Sequence, residues 1–157
     1  MAIEIERKFL VEELPLADMQ QAVVEEIQQG YLIREPEREV RIRRKGELFY
    51  LTEKKGTGLS REEHEMLISE LIFNTLWPLT AGTQLEKARS TFLFDGYQLE
   101  LDIYHGALQP LMTLETEFSS EEQALAWSPP WFAGLEVTGD KRYKNAQLAE
   151  SGKPDNG

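Results

Sequence analysis

The chain has 157 residues, one domain of ordinary size, and a hydrophobic content of 41%, enough for a buried core. It has no cysteine, which excludes disulfides and thiolate metal sites, and its net charge of −11 repels nucleic acid and anionic membrane at long range. Acidic Glu4 and Glu6 stand where a signal peptide would be basic and then apolar, and no apolar run approaches the ~20 residues of a membrane helix, so a cytoplasmic protein with no nucleic-acid or membrane partner is expected.

Along the chain, strand-like segments alternate with turn signals. A strand at Ile3–Val11 comes first, then a helix at Leu14–Val24 with Pro15 in its first turn. Strands follow at Ile27–Arg34, Glu39–Lys45, Leu48–Lys54 and Arg61–Ile68, with a tight turn at Lys45-Gly46. A helix at Ser69–Trp77 ends at Pro78. Strands at Gln84–Phe94 and Tyr97–Tyr104 flank the turn Asp95-Gly96, and a last strand is expected at Leu111–Phe118. A third helix, Glu121–Trp127, has Ser119 or Ser120 as its cap and stops at Pro129-Pro130. The fold class is α+β: about eight strands forming an antiparallel sheet that closes or nearly closes, with few helices. One domain, residues 1–150, is followed by a polar tail, 151–157, expected to be mobile.

Residues i and i+2 of a strand share a face. Like charges recur at that spacing: Glu4 and Glu6 with Lys8, Arg41 and Arg43, Glu63 and Glu65 after Arg61, Lys87 and Arg89, Glu100 and Asp102, Glu115 and Glu117. Thr52 and Lys54 end another strand. A solvent-facing sheet has this alternation too, but it usually mixes signs, because like charges side by side cost energy. Converging on a closed lumen, carboxylates about 7 Å apart along a strand need protons or a hard cation. With no histidine or cysteine cluster, Mg²⁺, Mn²⁺ or Ca²⁺ suits them better than zinc. The guanidinium pairs match phosphate oxygens. Clustered acids beside clustered bases suit a phosphate chain and its metal, even on an acidic protein.

These residues, in this order, resemble the CYTH or triphosphate tunnel metalloenzyme family. Glu4-Ile5-Glu6-Arg7-Lys8 resembles its ExExK, Arg41-Ile42-Arg43 its RxR, Thr52 to Lys54 its TxK, and Glu63 with Glu65 its ExE. Lys87 and Arg89 resemble its KxR, Glu100 and Asp102 its ExD, and Glu115 to Phe118 its ExEF. The resemblance implies an eight-stranded antiparallel tunnel, with helices outside, that performs metal-dependent chemistry on triphosphates. It implies that Lys8, Arg41, Arg43, Lys54, Lys87 and Arg89 grip phosphates. Glu4, Glu6, Glu115 and Glu117 would be the leading metal ligands, and Glu63, Glu65, Glu100 and Asp102 would bind metal or orient the bases. Arg61 is grouped with the substrate-binding cations. Asp140-Lys141-Arg142 resembles the family's C-terminal charged segment; Lys141 is grouped with the substrate-binding cations, with Lys141 or Arg142 left open as the one that faces the tunnel.

Other residues are weighed separately. Tyr31 would assist proton transfer if a lysine lowers its pKa, and with Lys87 it is a candidate catalytic group. His64 alternates with Glu63 and Glu65 and so faces away; the glycines of Lys55-Gly56-Thr57-Gly58 lack a P-loop lysine. Trp77, Trp127 and Trp131 are read as packing, and His105 ends a strand. The leading expectation is an inorganic triphosphatase using Mg²⁺ or Mn²⁺ on a small triphosphate. The alternatives are an adenylate cyclase, a triphosphatase acting on thiamine triphosphate or nucleotides, and a polyphosphate-binding module without turnover. A second copy of the chain, as a homodimer, is left open.

Overall fold

Charged and apolar residues alternate along eight strands that close into an antiparallel barrel, in a computed structural model that describes residues 2–154. The strands are β1 (Ala2–Leu10), β2 (Val23–Glu35), β3 (Arg38–Lys45), β4 (Leu48–Lys55), β5 (Ser60–Ile68), β6 (Gln84–Phe94), β7 (Tyr97–Tyr104) and β8 (Met112–Glu117). Around the barrel their order is β1-β5-β4-β3-β2-β6-β7-β8, with β8 pairing back to β1. The expected closure is met. Both anticipated tight turns form: Gly46 takes φ +59°, and Asp95 and Gly96 take φ +51° and +82°, the left-handed pair that a two-residue hairpin demands.

Because the inner face is charged, the apolar faces point outward and the main core lies outside the barrel. Phe9, Leu99, Leu101, Leu114 and Phe92 bury the outer faces of β1, β6, β7 and β8 under Phe132 and Trp127. Leu99, Leu101 and Leu114 are wholly buried, each worth about 1.5–3 kcal/mol of transfer free energy. The helices are short: α1 (Glu70–Leu76), α2 (Glu121–Ala126) and α3 (Asn145–Ser151). Ser69 and Ser120 cap the first two by accepting from Ile72 and Gln123 N–H. Arg7, on the outer face of β1, donates to the Ala124 and Trp127 carbonyls at the C-terminal end of α2 and pairs with Glu136. Among the described residues no helix is long and apolar enough to cross a membrane.

Two expectations need correction. No helix forms at Leu14–Val24. Asp18 N–H reaches Pro15 O, Met19 N–H is shared between Pro15 O and Leu16 O, Ala22 N–H reaches Met19 O, and Val23 and Val24, already in β2, pair with Thr91 and Ser90. The ladder with β6 satisfies those backbone groups, while Leu14, Met19 and Ala22 pack as a loop on the outer core. The tail also starts later than expected: Ser151 closes α3, and residues 155–157 lie outside the described residues.

Beyond β8, a C-terminal strap completes the wall. Leu10 N–H bonds Leu135 O, Lys8 N–H bonds Thr138 Oγ1 and Val137 N–H bonds Lys8 O, so residues 134–138 run beside the second half of β1, past the register where β5 pairs with it. The strap then crosses one end of the barrel, where Lys8 Nζ donates to Tyr143 O (2.6 Å), Tyr104 OH donates to Asn145 Oδ1, and Arg34 pairs with Glu150.

Candidate active site

The cross-strand register brings the charged positions onto one lumen. Glu6 stands opposite Glu117, Lys8 opposite Glu115, Arg41 opposite both Tyr31 and Thr52, Arg89 opposite Asp102, and Glu100 opposite Glu115. All of these but Thr52 and Asp102 line a cavity of about 210 Å³, smaller than the range of roughly 300–1,000 Å³ typical of drug-sized ligands.

Most cations of the lumen are matched by acids. Lys54 Nζ lies 2.8 and 3.0 Å from the Glu4 oxygens and 3.6 Å from Glu63. Arg61 pairs with Glu39 at 2.7 Å, and Lys8 with Glu115 at 3.8 Å. Arg89 lays its fork on Asp102 at 2.8 and 2.9 Å and reaches Glu100 at 2.9 Å. Arg41 and Arg43 differ. Both are buried, and among the described residues neither has a carboxylate at ion-pair distance. Arg43 donates twice to the neutral Gln29 amide, at 3.0 and 2.8 Å, and Arg41 Nε is buried with no partner. Two adjacent forks left without anions are a site for one.

Facing them, Glu4, Glu6 and Glu117 each offer a carboxylate oxygen within 4.8 Å of the others. A family model for the CYTH domain matches residues 2–128. This chain belongs to the CYTH family. The CYTH protein is 46% identical over 150 residues to an inorganic triphosphatase from Nitrosomonas europaea, covering 94% of this chain and 97% of that one. It is 35% identical over 153 residues to an inorganic triphosphatase from Acetivibrio thermocellus, covering 96% of each. The solved structure of the inorganic triphosphatase NE1496 superposes with a TM-score of 0.71 at 42% identity, over 98% of this chain and 99% of that chain.

The electrostatics of the CYTH tunnel sort its acids into two kinds. Loss of bulk water, then repulsion from Glu115, pushes the Glu6 carboxyl well above its ordinary range. Burial, with Glu4, Glu100 and Glu63 nearby, lifts Glu117 to about 7. Burial would also raise Glu115, but Lys8 and Arg89 outweigh it and hold that carboxyl at about 2. Asp102 is likewise held far down against burial, by Arg89 and Lys87. Glu6 and Glu117 are therefore the acids short of positive charge, whereas Glu115 and Asp102 already have theirs.

The positions assigned from sequence fall into place unevenly. Glu4, Glu6, Lys8, Tyr31, Arg41, Arg43, Lys54, Arg61, Glu63, Glu65, Arg89, Glu100, Glu115 and Glu117 all line the cavity. Asp102 and Lys87 lie in a sealed layer beneath it, 2.7 Å apart, and Lys87 is wholly buried against the Tyr104 ring. Asp102 thus pairs with Arg89 and Lys87 and does not join the cluster of Glu4, Glu6 and Glu117. Glu65 accepts from Thr52 at 2.8 Å. Two expectations are corrected. Lys141 is exposed and off the cavity wall, because the turn Lys141–Tyr143 carries it outward; Lys144 lines the cavity instead. The Tyr31 phenol is raised, not lowered: burial and Glu39 outweigh Arg41, Arg43 and Lys54. It stays protonated and accepts from Gln29 Nε2 at 2.9 Å, leaving its own proton to donate.

Sequence reasoning missed Glu39, Gln29 and Lys144. Glu39 shares strand parity with Arg41 and Arg43, and Gln29 with Tyr31, so alternation alone would have found both. Lys144 has no such signal. His105, at the end of β7, sits outside the tunnel 3.0 Å from Glu26. Exposed His64 stands opposite Glu53, and Trp77 stacks on Phe73.

Proposed function

We propose that this CYTH protein hydrolyses inorganic triphosphate to pyrophosphate and phosphate in its tunnel, with Mg²⁺ or Mn²⁺ held by Glu4, Glu6 and Glu117. One observation carries the reading: Arg41 and Arg43, buried without acids, share a small cavity with three converging carboxylates. The relatives named inorganic triphosphatase support it.

The donor set fits a hard divalent ion. It is all carboxylate oxygen and it converges; burial, then neighbouring carboxylates, raise Glu6 and lift Glu117 to about 7, while Lys54 holds Glu4 down. When bound, such an ion supplies a Lewis acid to phosphate oxygens and lowers the pKa of a coordinated water. The chain's own groups do the rest. Arg41 and Arg43 grip phosphate by their forks, Arg89 is aimed by Asp102 and Glu100, and Lys54 and Lys8 add charge where the breaking bond releases it. Tyr31 donates a hydrogen bond. Burial, with Arg89 and Arg43 close by, pushes the Lys87 amine down to about 7 in spite of Asp102. Sealed beneath the cavity and 2.7 Å from Asp102, Lys87 does not reach a water or phosphate there; with Asp102 it backs the Arg89 fork. The lining is almost entirely charged or polar, and nothing in it resembles a purine pocket.

The test is a product assay on tripolyphosphate, ATP, thiamine triphosphate and pyrophosphate, with each metal and after chelation. Tripolyphosphate is expected to be cleaved at least about tenfold more efficiently than ATP, about 1.4 kcal/mol of transition-state preference. Cyclic AMP from ATP would replace the reading with a cyclase, and binding without turnover would reduce it to a polyphosphate module.

A further inference from the structure

Arg89 and Arg43 are both buried in the lumen and are held by the same edge, yet by partners of different charge. Arg89 sets Nε and Nη2 on the Asp102 carboxylate, at 2.8 and 2.9 Å. Arg43 sets Nε and Nη2 on a single oxygen, Gln29 Oε1, at 3.0 and 2.8 Å. The carboxylate holds Arg89 well above its ordinary range against burial. Behind Arg43 stands a neutral amide, and burial, then Arg41 and Arg89, bring that guanidinium down to about 10. The amide therefore fixes the direction of the fork without neutralising its charge.

The nitrogen of the same amide sets a second group. Gln29 lies on β2 opposite Arg43 and on the same strand face as Tyr31. It is wholly buried and is not among the residues that line the cavity, whereas Arg43 and Tyr31 both are. With its oxygen committed to Arg43, Gln29 can offer Tyr31 only an N–H, and Nε2 donates to the phenol oxygen at 2.9 Å. A phenol that accepts there turns its own proton elsewhere, and the open direction is the cavity that Tyr31 lines.

We infer that Gln29 is a positioning residue: its neutral amide aims the Arg43 fork and the Tyr31 proton together at the bound triphosphate, and its lack of charge leaves Arg43 free to grip a phosphate. The inference rests on the triphosphatase reading and deepens it, by giving a role to a side chain that the substrate does not touch. A carboxylate in place of the amide would do the reverse on both counts. It would neutralise Arg43 as Asp102 neutralises Arg89. Being an acceptor only, it would also draw the Tyr31 proton toward itself and away from the cavity.

The test is the order of two substitutions. If Gln29 only fills space and satisfies Arg43, the isosteric Gln29→Glu is the milder change, because Gln29→Met keeps the bulk and loses every hydrogen bond. The inference requires the opposite order in activity. For tripolyphosphate hydrolysis, Gln29→Glu should lower kcat/KM about 10²-fold, through a raised KM and a lowered kcat, while its Tm equals or exceeds that of wild type. Gln29→Met should lose about tenfold or less, with a lower Tm, because Arg43 keeps its charge but not its aim. Wild-type kinetics in Gln29→Glu overturn the inference, and so does a larger loss in Gln29→Met than in Gln29→Glu. A Gln29→Glu protein that melts well below wild type, or does not fold, also overturns it, because the carboxylate would then not be paired by Arg43. Should Gln29→Met not fold, Gln29→Glu decides alone. A wild-type protein that turns over no tripolyphosphate sinks the parent reading and this one together, whereas an active wild type with a tolerant Gln29→Glu sinks this one only.

Discussion

Replacing Arg41 by alanine separates catalysis from stability, because catalysis should fall far while stability barely moves. In the free protein Arg41 is buried with its Nε unpartnered, beside a second guanidinium. Burial, then Arg41 and Arg89, depress Arg43 from its ordinary value to about 10, on the order of 3 kcal/mol of unfavourable environment, with Arg41 the second contributor. Removing Arg41 relieves part of that, but burial of Arg41 is outweighed by Tyr31, Glu39, Glu4 and Glu65, which raise its guanidinium and would lose that attraction. The two offset, so Tm should stay within about 2–4 °C of wild type, the shift that about 1 kcal/mol produces in a chain of this size. Turnover should fall on the order of 10²-fold in kcat/KM, the usual cost of removing a group that stabilises developing charge. Arg41→Lys should recover part of it, because the charge returns without the fork. The assay is phosphate release from tripolyphosphate, alongside thermal melts without substrate. Wild-type kcat/KM in Arg41→Ala would refute the reasoning, because a buried unpartnered guanidinium facing this cavity would then have no anion to bind.

Four further outcomes follow from the same geometry. The proton held by Glu117, with its carboxyl at about 7, and by Glu6 must leave before a cation binds, so Mg²⁺ affinity should fall about tenfold per pH unit below 7, as titration calorimetry at pH 6–9 would show; a flat profile would contradict the triad. The linked sign for stability is opposite: folded Glu6 and Glu117 bind protons that the unfolded chain has lost above about 4.5, so the metal-free protein should lose stability as pH rises from there through 7, and a rising Tm over that window would count against it. Asp102→Asn strips a buried carboxylate from both Arg89 and Lys87 and should cost about 3–5 kcal/mol in a denaturant titration, whereas a loss under 1 kcal/mol would mean the sealed layer admits water. Gly30→Ala should lower Tm by several degrees, since the added carbon would sit 2.6 Å from Thr80 Cβ, a wholly buried side chain; an unchanged melt would show that the turn around Trp77–Thr80 yields freely.

What the sequence determined by itself was the face of each strand. Alternation put Glu4, Glu6 and Lys8 on one side of β1 and Arg41 and Arg43 on one side of β3, and strand pairing kept those sides together, because the side-chain period is two whatever the partner. The order of the charged pairs carried the family, and the closed barrel followed from the count of strands whose charged faces had to converge. Depth and neighbourhood were decided only by the tertiary structure. Lys87 and Arg89 have the same parity, yet cross-strand register sets one in a sealed layer and the other on the cavity wall. Glu6 and Glu115 look alike in sequence but titrate in opposite directions, because Glu115 lies beside Lys8 and Arg89 while Glu6 gains no such pair. The apolar spacing at Leu14–Val24 fitted a helix until the β6 ladder took Val23 and Val24. Lys144 stood outside every motif, and only a strap crossing the far rim brought it, and not Lys141, to the lumen. Local pattern fixes direction along one strand, but burial and charge balance are sums over every strand that closes around a point, and a linear reading does not contain them.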